Sequence, residues 1–463
     1  MITKNNTQLN TFNTPISAAA GIDLNPNMPL RSVSTNFLAG LSAGAKVTAA
    51  ASNYNVFLGH KAGESLNAGS NNFFVGLSAG NHFAKGSVNT IIGNQAGRDL
   101  YKACHNTFIG TYAGKVNFTI VNTSSNPTYF SNIGYMCNNV AIGNRAGAYL
   151  CHRFCQETRY SCGSPYTYIR DNCAFGHVFI GHYAGRCAGE YSVRNIAIGY
   201  QANGCAISTS GAYNVSIGAR AGARLTAGFN NVNVGRGAGI GITSGYTNVT
   251  VGNYAGWGLS TGNRNTFVGN QAGGNGCRNV AIGNYAGQQT GANGNVLIGS
   301  FAGKSGCTTA SCNVFIGTYA GRGNNYGSCG CNLIAGCSNI AMGTNAGRYM
   351  STGNNNIFFG QGTGYCNRGG SCNVMIGYAA NRACLNTGSY NNFVGFRAGF
   401  CNTSGTNNTF IGRNAGCTNT TGSDNVIIGN GANVSTSSLS GVVVIGTGAV
   451  ATWQYFGIRK RYN

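Results

Sequence analysis

Carboxylates are what this chain has least of. Asp23, Glu64, Asp99, Glu157, Asp171, Glu190 and Asp424 are its seven acids, against 29 lysines and arginines in 463 residues. Acids this scattered are hard to pair for glycoside hydrolysis. His177 and His182 have no acid or nucleophile signature beside them, and the many Gly-x-x-x-Gly spacings belong to a repeat rather than to a phosphate loop. A protein that is not an enzyme and carries no cofactor is therefore expected. Long apolar runs are missing as well: no stretch of about 18 apolar residues occurs, so no membrane insertion is expected. Met1 to Pro29 shows no basic-then-apolar signal segment. Prolines number 5 and charged residues make up only 8%, which excludes the highly charged, weakly hydrophobic composition of a disordered chain.

What is abundant is glycine, 75 residues without collagen's every-third-residue period, together with Asn, Thr, Val, Ile and aromatics. That composition favours strands and turns over helices. One nine-residue phrase organises it, seen at Asn408-Thr409-Phe410-Ile411-Gly412-Arg413-Asn414-Ala415-Gly416 and again at Asn265 to Gly273. Aligned on its first glycine it occurs 22 times between Gly40 and Gly446, and eleven of the 21 intervals are 17 residues. A unit this short buries its apolar face only by stacking on its neighbours. The fold expected is all-β: a parallel β-solenoid of about 22–24 short turns over residues 36–450. Insertions interrupt it at 115–138, 148–176 and 323–337. Residues 1–35 read as an attachment or capping segment and 451–463 as a C-terminal cap. The first insertion has room for one degenerate turn around Ser131 to Gly134.

Counting the phrase from its Asn as position 0, position 3 is Ile or Val in 18 of 22 copies and position 1 mostly Val, Thr or Ile. Strand alternation puts both on one face, and their uniformity predicts that this face is the core. Position 2 is then outward: Phe57, Phe74, Phe108, Phe179, Phe267, Phe315, Phe358, Phe393 and Phe410 would form an exposed stripe, a surface for self-association. A flat coil whose own loops cover both faces is the competing reading. Position 0 is Asn in 20 copies, with His177 and Val442 as exceptions, as expected of a turn-to-turn amide ladder. Position 8 is Gly in 18 copies, with Asn203, Asn381 and Asn433 as substitutes, which marks a left-handed corner.

The phrase Asn-Val-Ala-Ile-Gly, at Asn139 to Gly143 and Asn279 to Gly283, resembles the repeats in the heads of trimeric autotransporter adhesins and related phage and viral fibre proteins. The resemblance implies a left-handed β-roll, three chains side by side, and attachment to surfaces. Two features depart from it: the head repeat is shorter than 17 residues, and neither a coiled-coil stalk nor a membrane barrel is evident.

The high count of 19 cysteines suggests an oxidising compartment or an exposed particle surface, and its being odd leaves one thiol free or paired between chains. Cys187 with Cys205, Cys366 with Cys384, and Cys401 with Cys417 recur near one corner of successive turns, spaced for disulfide staples, although an unoxidised ladder fits as well. Cys151, His152, Cys155, Cys162 and Cys173 supply enough ligands for zinc but match no finger spacing, and no metal is expected. Arg98, Lys115, Arg186, Lys304, Arg322, Arg348 and Arg382 each fall five residues after a repeat Gly. Such a row could track a polyanion or be a solvated edge; without an evident aromatic platform nucleic acid is disfavoured. The function expected is a structural or adhesive fibre protein that associates with itself as a homotrimer or filament, on an extracellular filament, cell or virion surface. The alternative is a receptor- or glycan-binding module with recognition carried by the Cys-rich insertions; an anionic polysaccharide or a host surface glycan is the partner expected besides the chain itself.

Overall fold

The computed structural model describes residues 22–23, 29–33, 35–48, 51–100, 102–116, 135–148, 156–161, 164–169, 174–186, 192–204, 211–288, 291–304, 310–323, 336–383 and 385–452. These are all-β, with no helix among them: a parallel β-solenoid in which each phrase contributes one short strand. Contacts divide the chain into two units, Met1–Arg236 and Gly237–Asn463. The first holds ten phrase strands, from Asn36–Ala39 to Val232–Val234, and the second twelve, from Val249–Val251 to Val443–Ile445.

Neighbouring strands pair in parallel and in register, so that Val56, Phe57 and Leu58 lie beside Phe73, Phe74 and Val75. Pairing of this sheet runs past the insertions. Thr107–Ile109 pairs directly with Val140–Ile142, and Ser131 to Gly134, the place of the expected degenerate turn, lie outside the described residues. Val140–Ile142 in turn pairs with Val178–Ile180, and Val314–Ile316 with Ile340–Met342. From the insertion 148–176 the structure describes an antiparallel hairpin, Gln156–Ser161 with Ser164–Ile169. At the N-terminal end Pro29–Val33 runs antiparallel to Asn36–Ala39 and pairs its open edge.

The expected core and surface are exchanged. Phe57, Phe74, Phe108, Phe179, Phe267, Phe315, Phe358, Phe393 and Phe410 are all at most 3% exposed, so they form the interior rather than a surface for association. Where they are consecutive they stack, Phe57 on Phe74 at 4.7 Å between centroids and Phe393 on Phe410 at 4.8 Å. Positions 1 and 3 flank them and point outward. The reason lies at the corner that follows. Gly63 has φ +58°, and a Cβ there would lie 2.6 Å from the Phe57 ring; at Gly416 the distance to Phe410 would be 2.4 Å. The backbone folds directly over the position 2 side chain, and the buried Ala at position 7 closes the same corner. Polar residues at position 2 are enclosed too: Ser216 and Asn233 are fully buried, 3.4 Å apart through Asn233 Nδ2 and Ser216 Oγ.

A second inward row stands seven residues after the repeat Gly, at Val47, Leu66, Phe83, Leu100, Leu225, Ile242, Leu259 and Met350. In later turns buried Asn367, Asn402 and Asn419 take this place. Asn402 Nδ2 donates to the Gly405 carbonyl at 3.0 Å, and its Oδ1 accepts from the Gly405 N–H; Asn367 and Asn419 share the donation alone, to the Gly370 and Gly422 carbonyls.

The amide ladder at position 0 forms as the sequence predicts. Asn55 Nδ2 donates to Asn36 Oδ1 and to the Gly69 carbonyl, both at 2.9 Å, while its Oδ1 accepts from the N–H and Nδ2 of Asn72. Only Asn supplies two donors and an acceptor at this reach, and a buried amide must use them. His177 replaces one rung: its Nδ1 accepts from the Asn195 N–H at 3.2 Å and its Nε2 donates to the Ser192 carbonyl at 2.9 Å. Burial outweighs those bonds and pushes its pKa down from 6.5 to about 4. At position 8, Asn203 (φ +48°) and Asn381 (φ +41°) adopt the left-handed corner. Asn433 does not, lying instead in the strand Asn433–Val434 that pairs with Val450–Ala451.

Two outcomes test this packing. Phe393→Ala should cost about 3–5 kcal/mol in denaturant unfolding, whereas Ile411→Thr on the outer face should cost about 1 kcal/mol or less. For His177, the unfolded chain binds a proton between pH 6.5 and about 4 that the folded chain does not, so stability falls as pH falls through that window. His177→Asn should reduce that loss, measured as the difference between variant and wild-type unfolding midpoints at pH 7 and pH 4.5.

Candidate functional surfaces

Turning position 2 inward leaves positions 1 and 3 as two adjacent outward rows. Val249, Ile340 and Ile357 at position 1, and Ile282, Phe359, Ile376, Ile411 and Ile445 at position 3, are 37% to 52% exposed. In the second unit these rows span about 50 Å at the ~4.8 Å rung spacing, and at about 10 Å width cover on the order of 500 Å². That is at the upper end of the apolar patch a soluble monomer exposes, about 300–600 Å². No charged residue occurs at positions 1 or 3 in any of the 22 copies, although the chain carries a net charge of +22.

A second surface is built at position 6. Tyr112, Tyr183, Tyr285, Phe301 and Tyr319 stand there with φ between +55° and +59°, a left-handed corner the sequence does not reveal because almost any residue occupies it. Three residues on comes the cation row. Lys115 and Arg186 lie 5.0 and 4.9 Å from the centroids of the Tyr112 and Tyr183 rings. Lys304 Nζ lies 4.4 Å from the Tyr285 centroid and 5.1 Å from that of Phe301. The Arg322 guanidinium is 5.1 and 5.0 Å from Phe301 and Tyr319, and that of Arg348 is 4.9 Å from Tyr319. Arg382 lies over Tyr365 at 5.3 Å. Aromatic rings are thus interleaved with the cations, contrary to the expectation of a row without them. The pattern was present in the chain as Tyr-Ala-Gly followed by Arg or Lys, at Tyr183 to Arg186 and Tyr319 to Arg322.

The row is not uniform. Arg98 is neutralised by Asp99, with Nε 3.3 Å from Oδ2, and its Nη1 donates to Gln95 Oε1 at 2.6 Å. Lys304, by contrast, has its pKa lowered by burial and then by the Arg322 charge. Arg348 Nη1 donates to Asn345 Oδ1 at 3.0 Å while its buried Nε has no hydrogen-bond partner.

Cys401 and Cys417 are both free thiols, so this predicted staple is not formed. They stand six and five residues after their glycines, out of register by one, and Cys417 Sγ is engaged by Asn433 Nδ2 at 3.2 Å. Cys187, Cys205 and Cys384 lie outside the described residues, and with them the other two predicted pairs. Cys151, His152, Cys155, Cys162 and Cys173 lie outside as well; among the described residues no three His, Cys, Asp or Glu side chains gather as metal ligands do. Burial, then the neighbouring Cys417, raises the pKa of the Cys401 thiol. Both thiols should therefore label with maleimide without reductant, Cys401 more slowly; protection of the pair that only reductant lifts would contradict the free state.

Compared with protein-family models, curated proteins and solved structures, the chain matches none.

Proposed function

We propose that this chain is a non-enzymatic structural or adhesive protein whose copies associate through the outer sheet face made by positions 1 and 3, forming a fibre-like assembly on a filament, cell or virion surface. The observation that carries the reading is that face: apolar, largely β-branched and free of charge on a chain whose net charge is +22. Like-charged copies repel over most of their surface, and here they do not. Two such faces carry the same rung spacing, so the rows of one fit the grooves of the other without a change of register, as in dry interfaces between stacked sheets. A closed trimer and an open filament would use this face with different symmetry.

The scarcity of acids supports a non-enzymatic role, since only Asp424 occurs in residues 237–463. Native mass measurement against concentration tests the proposal, using wild type and the triple variant Ile282→Lys, Ile376→Lys, Ile411→Lys. The expected result is an assembled wild type and a dispersed variant with the same β-type circular dichroism. A wild type that stays monomeric at every concentration, or a variant that assembles as wild type does, would sink it.

A further inference from the structure

We propose that the edge of the second unit formed by Tyr285, Phe301 and Tyr319 with Lys304, Arg322 and Arg348 binds a linear anionic polysaccharide, one bearing sulfate or carboxylate groups along its length. The three cations occupy three consecutive turns, those of Gly299, Gly317 and Gly343, and so recur about every 4.8 Å along the sheet. They stand against a continuous aromatic support: Tyr285 and Phe301 stack at 5.2 Å and 11°, Phe301 and Tyr319 at 5.2 Å and 16°. Each of the three lies against two rings of this support or its neighbours, with Arg348 also 5.0 Å from Tyr349. The rings hold the cations in a row that their mutual repulsion would otherwise spread.

No acid balances this row. The second unit has one acidic side chain in its whole sequence, Asp424, and among the described residues the ion pairs both belong to Asp99 of the first unit. In the first unit the comparable row begins with Arg98 already engaged by Asp99. The second unit's row is the one whose charge is left for an outside partner. The depressed ammonium of Lys304 has the same origin, burial together with the Arg322 charge, and an incoming anion would relieve the second cause.

Ring geometry favours a polysaccharide over a single-stranded nucleic acid. A base binds by stacking on a free aromatic face, but these faces are taken by one another and by the cations. What remains presented is guanidinium and ammonium, with tyrosine hydroxyls at the ring edges. Arg322 and Arg348 suit oxyanions of planar or forked geometry, and Lys304 supplies a compact charge.

The test uses the full chain and immobilised probes: heparin for sulfate, polygalacturonate for carboxylate, uncharged dextran, and a single-stranded DNA oligonucleotide, each over a salt series from about 50 to 200 mM NaCl. Heparin or polygalacturonate should bind in a salt-dependent way, dextran should not, and DNA should bind more weakly. The ridge variant Lys304→Ala, Arg322→Ala, Arg348→Ala should lose about tenfold or more in affinity and flatten the salt dependence by about two to three charges. A control variant, Arg264→Ala, Arg278→Ala, Arg413→Ala, removes equal charge from exposed positions of the same unit and should lose about threefold or less. Should the ridge variant fail to fold, the half-buried Lys304→Gln change alone should still weaken binding more than Arg264→Gln does. Equal losses in ridge and control variants, tighter binding of DNA than of either polysaccharide, or no binding to heparin or polygalacturonate by the wild type would each overturn the proposal. Because the ridge is distinct from positions 1 and 3, the dispersed Ile→Lys variant separates this binding from self-association.

Discussion

Backbone lies directly on backbone at the glycine that ends each strand. A Cβ at Gly59 would stand 2.5 Å from the Gly76 carbonyl oxygen, and one at Gly412 would stand 2.6 Å from that of Gly429. With φ near +130°, these residues hold a conformation that side chains rarely adopt, and the rung above leaves no room for one. Close approach here and the amide ladder at position 0 fix each turn's register at both ends of its strand. Once register is fixed, every position of the phrase becomes a row. Phenylalanines become a stack, Val and Ile become two outer rows, and the residues of the position 6 corner become a ridge.

A row multiplies the consequences of each residue's chemistry. One buried amide left unpaired costs stability; a row of them is self-satisfying, because the donor of each turn is the acceptor's need in the next. His177 shows what the ladder requires of a substitute, since it keeps an acceptor at Nδ1 and a donor at Nε2 only while neutral. Cations behave in the opposite way. Lys304, Arg322 and Arg348 repel along the edge, and the aromatic support holds these half-buried cations in place despite it.

The period, the all-β class, the parallel stacking, the Asn ladder and the left-handed corner at position 8 were legible because each depends on one residue type recurring at one spacing. Strand parity was not legible in the same way. Uniform Val and Ile at positions 1 and 3 suggested a core, while Ser216, Asn233 and Thr250 among the phenylalanines suggested a surface. Yet position 0 and position 2 are two residues apart on one strand and share a face. A buried amide ladder at Asn55 and Asn72 therefore required Phe57 and Phe74 to be inside with it. The second core row at Leu66, Phe83 and Leu100 was obscured by the variable loop that follows it and by its change to Asn367, Asn402 and Asn419. The aromatic ridge was obscured by a corner that needs a positive φ without needing glycine.

By itself the sequence determined the repeat and its strand, the corner that only Gly or Asn fills readily, and the positive charge with few acids to balance it. Those follow from backbone sterics and from composition, which are local. Tertiary structure decided which side of a three-residue strand is the inside, because that depends on where the following corner carries the chain. Gly63 folding over the Phe57 ring settled it in favour of position 2. The same decision exposed an uncharged sheet face and brought Lys304, Arg322 and Arg348 alongside a common stack of rings, since only register between turns makes neighbours of residues 18 and 26 positions apart.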